Sequence, residues 1–111
     1  GHAQLARIRT DGTGFERLLS TDRVDWFPHL SPDGRRATHI SFPTGTLGHP
    51  ADLPVEIRVA DVGAWDDPLL EIALFGGQGS LNVNSWPPDG RRFAFVAYPC
   101  SQDDQPRLLR R

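Results

Sequence analysis

The stretch SPDGRR at residues 31–36 returns as PPDGRR at residues 87–92, 56 positions later. The likeness extends outward, because HLSPDGRRATHISFP (29–43) aligns without a gap with SWPPDGRRFAFVAYP (85–99). Six of the fifteen aligned columns are identical. The chain of 111 residues therefore contains an internal repeat, and such a period is typical of a repeat architecture.

Each copy of PDG is typical of a tight hairpin turn. Proline presets the φ of the second turn position, aspartate suits the third, and glycine takes a positive φ without steric cost. The combination predicts a type I turn closed by a bulge glycine. The structural turn residues are Pro32, Asp33, Gly34, Pro88, Asp89 and Gly90.

Strand-like segments surround both turns. ATHISF and FAFVAY are rich in β-branched and aromatic residues, and FAFVAY is apolar on both faces, which predicts a strand covered on both sides. VEIRV alternates apolar and charged residues, as half-buried strands do. PLLEIALF has the composition of a helix, but it is short for one, so a strand is favoured. QLARIRT and FERLLS surround the turn DGTG, and PHLS and VNSW precede the two PDG turns as inner strands, so the order is eight strands in two four-stranded units.

Four-stranded repeats of this length predict an all-β fold made of β-propeller blades. With strands A to D counted outward from the axis, the chain runs C-D, A-B-C-D, A-B, which is one intact blade between two half-blades. The expected boundaries are repeat 1 at about 3–43, a B–C loop insertion at 44–54, repeat 2 at about 55–99 and a tail at 100–111. Since two blades cannot close a ring, we expect self-association, with a trimer forming a six-bladed ring favoured, or the remaining blades of a longer chain.

Two long segments, IRTDGTGFERLLS and FPHLSPDGRRATHIS, resemble the repeat of TolB-type β-propellers. In that repeat a DG hairpin precedes an inner strand that ends in an SPDG turn. GHPADLPVEIR and GGQGSLNVNSW are similar to segments of a TolB-related bacterial subgroup of unassigned role. The second copy departs from the pattern, with Pro87 in place of serine and ADVGAWDD in place of a DG hairpin. The resemblance implies a propeller and leaves the activity open, because propellers host many functions.

Composition narrows the classes of function. A formal net charge of −2 argues against a nucleic-acid binder that neutralises phosphates. The single Cys100 excludes an internal disulfide and a cysteine metal cluster, and no apolar run suggests membrane insertion. We predict neither a cofactor nor a metal. The chain begins with Gly1 and has no Met, which we interpret as the mark of a processed or partial chain.

Polar and aromatic residues near the predicted inner strands are the candidate ligand or funnel residues. His29 begins an inner strand, and His49 and Asp52 lie in a Gly- and Pro-rich loop that is longer than a hairpin needs. Long loops within compact repeats are often functional. For all the candidates a structural role in loops or blade packing stays open. The remaining candidates are Trp26, Asn82, Asn84 and Trp86.

Catalysis has little support in the sequence. There is no G-x-S-x-G elbow and no P-loop lysine, and the three central histidines, spaced by ten, match no zinc pattern. His39 is expected to be a packed structural residue. We therefore favour a non-enzymatic propeller module serving as a scaffold or as a protein- or peptide-binding surface. Two alternatives stay open: a small-ligand, ion-binding or enzymatic site in the funnel, and a truncated propeller fragment without its own activity.

Overall fold

The computed structural model describes residues 1–110, and their regular structure is almost entirely β. β1 and β2 form a small sheet, and the other strands form one antiparallel sheet in the order β3-β4-β5-β6-β7. No helix within residues 1–110 is long and apolar enough to cross a membrane. The strands are β1 (Ala6–Arg7), β2 (Glu16–Arg17), β3 (Val24–Leu30), β4 (Arg36–Phe42), β5 (Leu53–Asp61), β6 (Leu70–Gly76) and β7 (Arg107–Arg110), with a 3-10 turn at Gln102–Asp104.

The SPDG turn joins β3 to β4 as predicted. Gly34 has a φ of 72° and donates its N–H to the carbonyl of Ser31 at 2.9 Å. The Ser31 hydroxyl donates to the Asp33 carboxylate at 2.8 Å and accepts the N–H of Arg36 at 3.1 Å. The Ser31 N–H in turn donates to the carbonyl of Arg36 at 2.8 Å and closes the ladder between the two strands.

The second copy makes the same turn without the strands. Gly90 has a φ of 67° and donates to the carbonyl of Pro87 at 3.0 Å, so the turn prediction is confirmed there too. FAFVAY was expected to be a strand, but none of residues 84–99 belongs to a regular strand. Pro87 explains part of the difference, because it has neither the N–H nor the hydroxyl with which Ser31 closes the first hairpin.

A side chain replaces the missing ladder in this second hairpin. The Ser85 hydroxyl accepts the N–H of Ala94 at 3.1 Å and donates to the carbonyl of the same residue at 2.5 Å. In the first copy the corresponding residues, His29 and Thr38, face each other across β3 and β4. The second hairpin thus keeps the register of the first and loses its backbone pairing.

Strands β3 to β6 form one intact four-stranded blade with β4 at its centre. Every residue of β4 after Arg36 is buried, because the strand is covered on both faces. On one face Ile40 and Phe42 belong to a core that Phe93, Phe95 and Ala97 help to cover. The other face has its own core, formed by Ala37, Leu5, Leu19 and Trp65. The intact blade therefore lies between the N-terminal hairpin and the C-terminal hairpin.

The segment FAFVAY is covered on one face only. Its odd-numbered side chains are half-buried against the blade, whereas Val96 and Tyr98 are 48% and 44% exposed. The prediction that both faces are covered is wrong for residues 1–110, because these residues supply a neighbouring blade on one side alone.

Three further strands bear on the sequence predictions. PLLEIALF does form a strand, β6, and β5 alternates between buried and half-buried residues as VEIRV predicts. β7 was not anticipated, since it lies in the segment treated as a tail. It pairs with β6, with Leu108 opposite Ile72, and adds a fifth strand to the blade.

Candidate functional site

A bulge in the edge strand β3 shapes the candidate site. The register with β4 shifts between Trp26 and His29, and Phe27 has a φ of 56°. Positive φ is rare for an aromatic residue and stores strain, which clusters at functional positions. Pro28 cannot donate a hydrogen bond and is tolerated here because β3 is an edge strand with a bulge.

The bulge places two aromatic rings against the 44–54 loop. The ring of His49 lies 4.7 Å from that of Trp26 and 4.9 Å from that of Phe27, edge-on to both. The indole N–H of Trp26 donates to the carbonyl of Gly48 at 3.0 Å. The loop is therefore fixed to the inner strand by the residues that the sequence marks as candidates.

One nitrogen of His49 is left without a partner. Its Nδ1 lies 2.5 Å from Oε1 of Gln78. Because an amide oxygen only accepts hydrogen bonds, Nδ1 carries the hydrogen in this pair. Within residues 1–110 nothing hydrogen-bonds Nε2, which can accept a hydrogen bond or, once protonated, donate one.

The other inner-strand candidates bond to the backbone. The His29 ring nitrogen lies 2.7 Å from the carbonyl of Leu81, and the Asn84 amide donates to the carbonyl of Leu30 at 2.9 Å. Asn82 accepts the N–H of Gly79 at 3.1 Å. The His29 and Asn84 contacts hold the segment 76–86 along β3, and the Asn82 contact closes a turn within that segment, so the arrangement gives all three a structural task.

Asp52 and Trp86 stand apart from the His49 group. Asp52 is exposed, has a φ of 62° and makes no hydrogen bond or ion pair within residues 1–110. Trp86 packs against Phe93 with ring centroids 5.4 Å apart, and its indole nitrogen is buried without a partner. The structure therefore joins Trp26 to His49 and leaves Asp52 outside this group. A ligand role for any of these residues stays a prediction.

Sequence reasoning missed a buried acid–histidine pair. His39 on β4 and Asp25 on β3 approach to 3.5 Å, between Nε2 and Oδ1, and their side chains are 1% and 0% exposed. The other carboxylate oxygen accepts hydrogen bonds of 2.8 Å from the Gln4 amide and from the Thr21 hydroxyl. The sequence carried little signal for it, because Asp25 lies before the inner strand predicted from the repeat and only the structure extends β3 back to Val24.

The environment holds Asp25 in its charged form. Burial is the largest single influence and acts to raise the pKa of Asp25. The hydrogen bond and the charge of His39, with hydrogen bonds from Thr21 and Ser41, together outweigh burial and lower the pKa from 3.8 to about 2. Since the pair is sealed from solvent, it can tie the blade to the N-terminal segment but cannot reach a substrate.

A charged cleft lies across parts of β5 and β6 and the segment 103–109. It has a volume of about 390 Å³ and is lined by residues that include Arg23, Glu56, Asp104 and Arg107. Arg23 is already engaged, because its Nε donates to the Ser41 hydroxyl at 2.8 Å. Among residues 1–110 no three His, Cys, Asp or Glu side chains are grouped so that they could hold a metal ion.

Comparison with known proteins bears on the fold more than on the activity. No protein-family model matches the chain. A solved structure described as "putative TolB" from Agrobacterium tumefaciens matches with a TM-score of 0.80 and 39% identity, over 89% of this chain and 36% of that one. The fold is TolB-like. An uncharacterized protein of Agrobacterium fabrum is 40% identical over 98 residues, which are 88% of this chain and 33% of that protein.

The TolB-like fold confirms the resemblance drawn from the repeats at the level of architecture. β3 to β6 form a β-propeller-like blade, and the relatives are bacterial. The chain spans about a third of the length of each relative. The activity and partners of a whole protein of that kind are therefore a matter for proposal.

Proposed function

We propose that this TolB-like chain is a non-enzymatic module that serves as a scaffold and binds a protein or peptide at its inner-strand surface. This surface consists of β3, the loop 44–54 and the segment 76–86. The supporting observation is the exposure of two large apolar side chains on it: Leu47 is 91% exposed and Val83 is 74% exposed. Exposed apolar patches on soluble proteins often mark sites of interaction with a partner.

The two segments that carry these side chains are tied to the blade. The Gln78 N–H donates to the carbonyl of Pro50 at 2.9 Å, which links the segment 76–86 to the loop 44–54. A binding surface whose backbone is already fixed loses less conformational entropy when a partner docks. An enzymatic role draws no support from the buried pair of Asp25 and His39, because solvent does not reach it.

The test is selection of binders from a random-peptide phage library on the immobilised chain. The double variant Leu47→Ser/Val83→Ser is the probe, and Phe15→Ser is the matched control, because Phe15 is 73% exposed on the N-terminal side. Selected peptides are expected to bind the wild type and Phe15→Ser equally and to bind the double variant at least about tenfold more weakly. No enrichment, or equal binding to all three proteins, would refute the proposal.

A small-ligand site at the same surface is the second candidate, and the free Nε2 of His49 beside Trp26 favours it. The test is ligand-observed NMR with a library of polar aromatic fragments. Hits should bind the wild type and the control His2→Ala and should lose binding to His49→Ala. Fragments that bind His49→Ala as well as they bind the wild type would contradict a small-ligand site at His49.

A further inference from the structure

The C-terminal hairpin ends in a free strand edge. In an extended segment alternate backbone groups point in opposite directions. Along residues 93–98 the even-numbered N–H groups point inward: Ala94 bonds Ser85 Oγ at 3.1 Å, Val96 bonds the Ser80 carbonyl at 3.0 Å and Tyr98 bonds the Phe75 carbonyl at 2.8 Å. The odd-numbered groups point outward, and within residues 1–110 their N–H and C=O have no hydrogen-bond partner. These residues, Phe93, Phe95 and Ala97, are called the C-terminal edge.

The first repeat shows what this edge lacks. The residues that correspond to it lie on β4 and pair with β5, with Ala37 opposite Ala60, His39 opposite Arg58 and Ser41 opposite Glu56. The C-terminal edge is therefore a copy of β4 beside which residues 1–110 place no strand corresponding to β5.

The N-terminal strand offers the complementary edge. The carbonyl of Leu5 accepts the N–H of Leu18 at 2.9 Å, and the Arg9 N–H donates to the carbonyl of Thr13 at 2.9 Å. These bonds turn the odd-numbered backbone groups toward β2, so those of Gln4, Ala6 and Ile8 face away from it.

β1 also corresponds to β5 in register. Ala6 pairs with Arg17 as Arg58 pairs with Glu71. By this alignment Leu5 corresponds to Ile57, and both side chains are buried. The chain thus carries a strand of the β5 type at one end and an edge that lacks such a strand at the other.

The two edges of one chain cannot meet. Leu5 packs with Ala37 on one face of β4, whereas Phe95 packs with Ile40 on the other face. The intact blade stands between them, so β1 of the same molecule cannot fill the edge.

We propose that β1 of a second copy of this chain pairs antiparallel with the C-terminal edge and completes a composite blade. The pairing of β4 with β5 sets the register: Phe95 lies opposite Ala6 of the second copy, Ala94 opposite its Arg7 and Phe93 opposite its Ile8. Strand addition of this kind supplies main-chain hydrogen bonds to a free edge. The contact is head to tail, and relatives of three times the length are consistent with three copies closing a ring.

A competing occupant lies within the chain itself. In PRLLR (106–110) the proline and the final arginine have the spacing of Pro54 and Arg58 at the start of β5. The segment 106–110 does not fill the edge in this structure, because its strand β7 pairs with β6 through Arg107 and Leu108. The variant Val96→Cys/Leu109→Cys described below distinguishes residues 106–110 from β1 of a second copy as the strand that fills the edge.

Disulfide cross-linking between two variants tests the register, in a Cys100→Ser background because Cys100 is exposed. Ala94→Cys is mixed with Arg7→Cys, since residues opposite each other at a non-hydrogen-bonded position suit a disulfide. The matched control is Ile8→Cys, whose side chain points to the other face. We expect a mixed dimer with Arg7→Cys and several-fold less with Ile8→Cys. Equal yields, or no cross-link, would overturn the proposal.

Light scattering over a dilution series tests the assembly. The wild type is expected as a trimer of 12.3 kDa chains. Ala6→Pro should dissociate it by removing an outward N–H, whereas Ala6→Val keeps that N–H and the trimer. A folded wild-type monomer at every concentration refutes the contact. An intramolecular bridge in the variant Val96→Cys/Leu109→Cys would also refute it, by showing that residues 106–110 fill the edge.

Discussion

His39 on β4 lies 3.5 Å from Asp25 on β3, measured from Nε2 to Oδ1, and both side chains are sealed in the interior. The second carboxylate oxygen of Asp25 is held by Gln4 and Thr21, which precede β3 in the chain. A buried acid–histidine pair thus joins the intact blade to the N-terminal segment, and breaking it should loosen the contact between them.

Acid should weaken the fold through Asp25. Its pKa falls from 3.8 to about 2 in the folded chain. A depressed folded pKa contributes stability that is complete above the unfolded value and is lost as pH falls through the folded value. The difference corresponds to about 2 kcal/mol of unfolding free energy, lost between about pH 5 and pH 2. Urea unfolding of the wild type and Asp25→Asn across this range measures it, and parallel curves for the two proteins would contradict it.

Replacing His39 alone should lower the unfolding free energy more than replacing both His39 and Asp25. His39→Leu leaves the buried carboxylate of Asp25 beside an apolar side chain in place of the imidazole, and we expect a loss of about 3 kcal/mol in unfolding free energy. Asp25→Asn in the same chain should recover part of this loss, because no charge is then stranded. Chemical denaturation of the two single variants and the double variant gives the coupling energy. Strict additivity would show that the two side chains act independently.

Gly77 should not tolerate a side chain. Its φ is 122°, and a Cβ there would lie 2.2 Å from the carbonyl oxygen of Pro50 and 3.1 Å from the ring of Phe42. We expect Gly77→Ala to lower the unfolding free energy by at least about 2 kcal/mol. Gly45→Ala is the control, because its φ is 86° and its surroundings are open. Equal melting temperatures for the two variants would contradict the close approach.

A serine before the PDG turn should stabilise the hairpin in both repeats. Ser31→Ala removes the hydroxyl that bonds Asp33 and Arg36, and it should cost about 1 kcal/mol. Pro87→Ser should gain a similar amount by restoring that hydroxyl and the N–H in the second hairpin. Thermal melts of both variants beside Ser101→Ala measure the differences, and a destabilised Pro87→Ser would refute the explanation of the missing ladder.

The sequence predicted turns and strands better than it predicted which strand faces are covered by a neighbouring blade. Both PDG turns, the strand β6 and the alternation in β5 were foreseen, because each depends on neighbouring residues. The exposed face of FAFVAY was not foreseen, since composition shows that a face is apolar but not whether a blade lies against it.

For the candidate site, too, the sequence indicated individual residues but not the tertiary contacts between them. The sequence placed Trp26 and His49 among the candidates but could not show their contact, which depends on the positive φ of Phe27. The pair of Asp25 and His39 was missed because its formation requires the register of β3 against β4.

In the second hairpin the hydroxyl of Ser85 takes the place of a backbone ladder, and this hairpin should therefore unfold locally before the rest of the blade. β4 is held by ladders along both edges, whereas residues 84–99 are bonded to the rest of the chain by the Asn84 amide and a few separate backbone bonds. Local opening of that hairpin therefore needs less free energy than global unfolding. Its amide protons should exchange with solvent first, and the opening uncovers Ile40 and Phe42 while the rest of the blade is still folded.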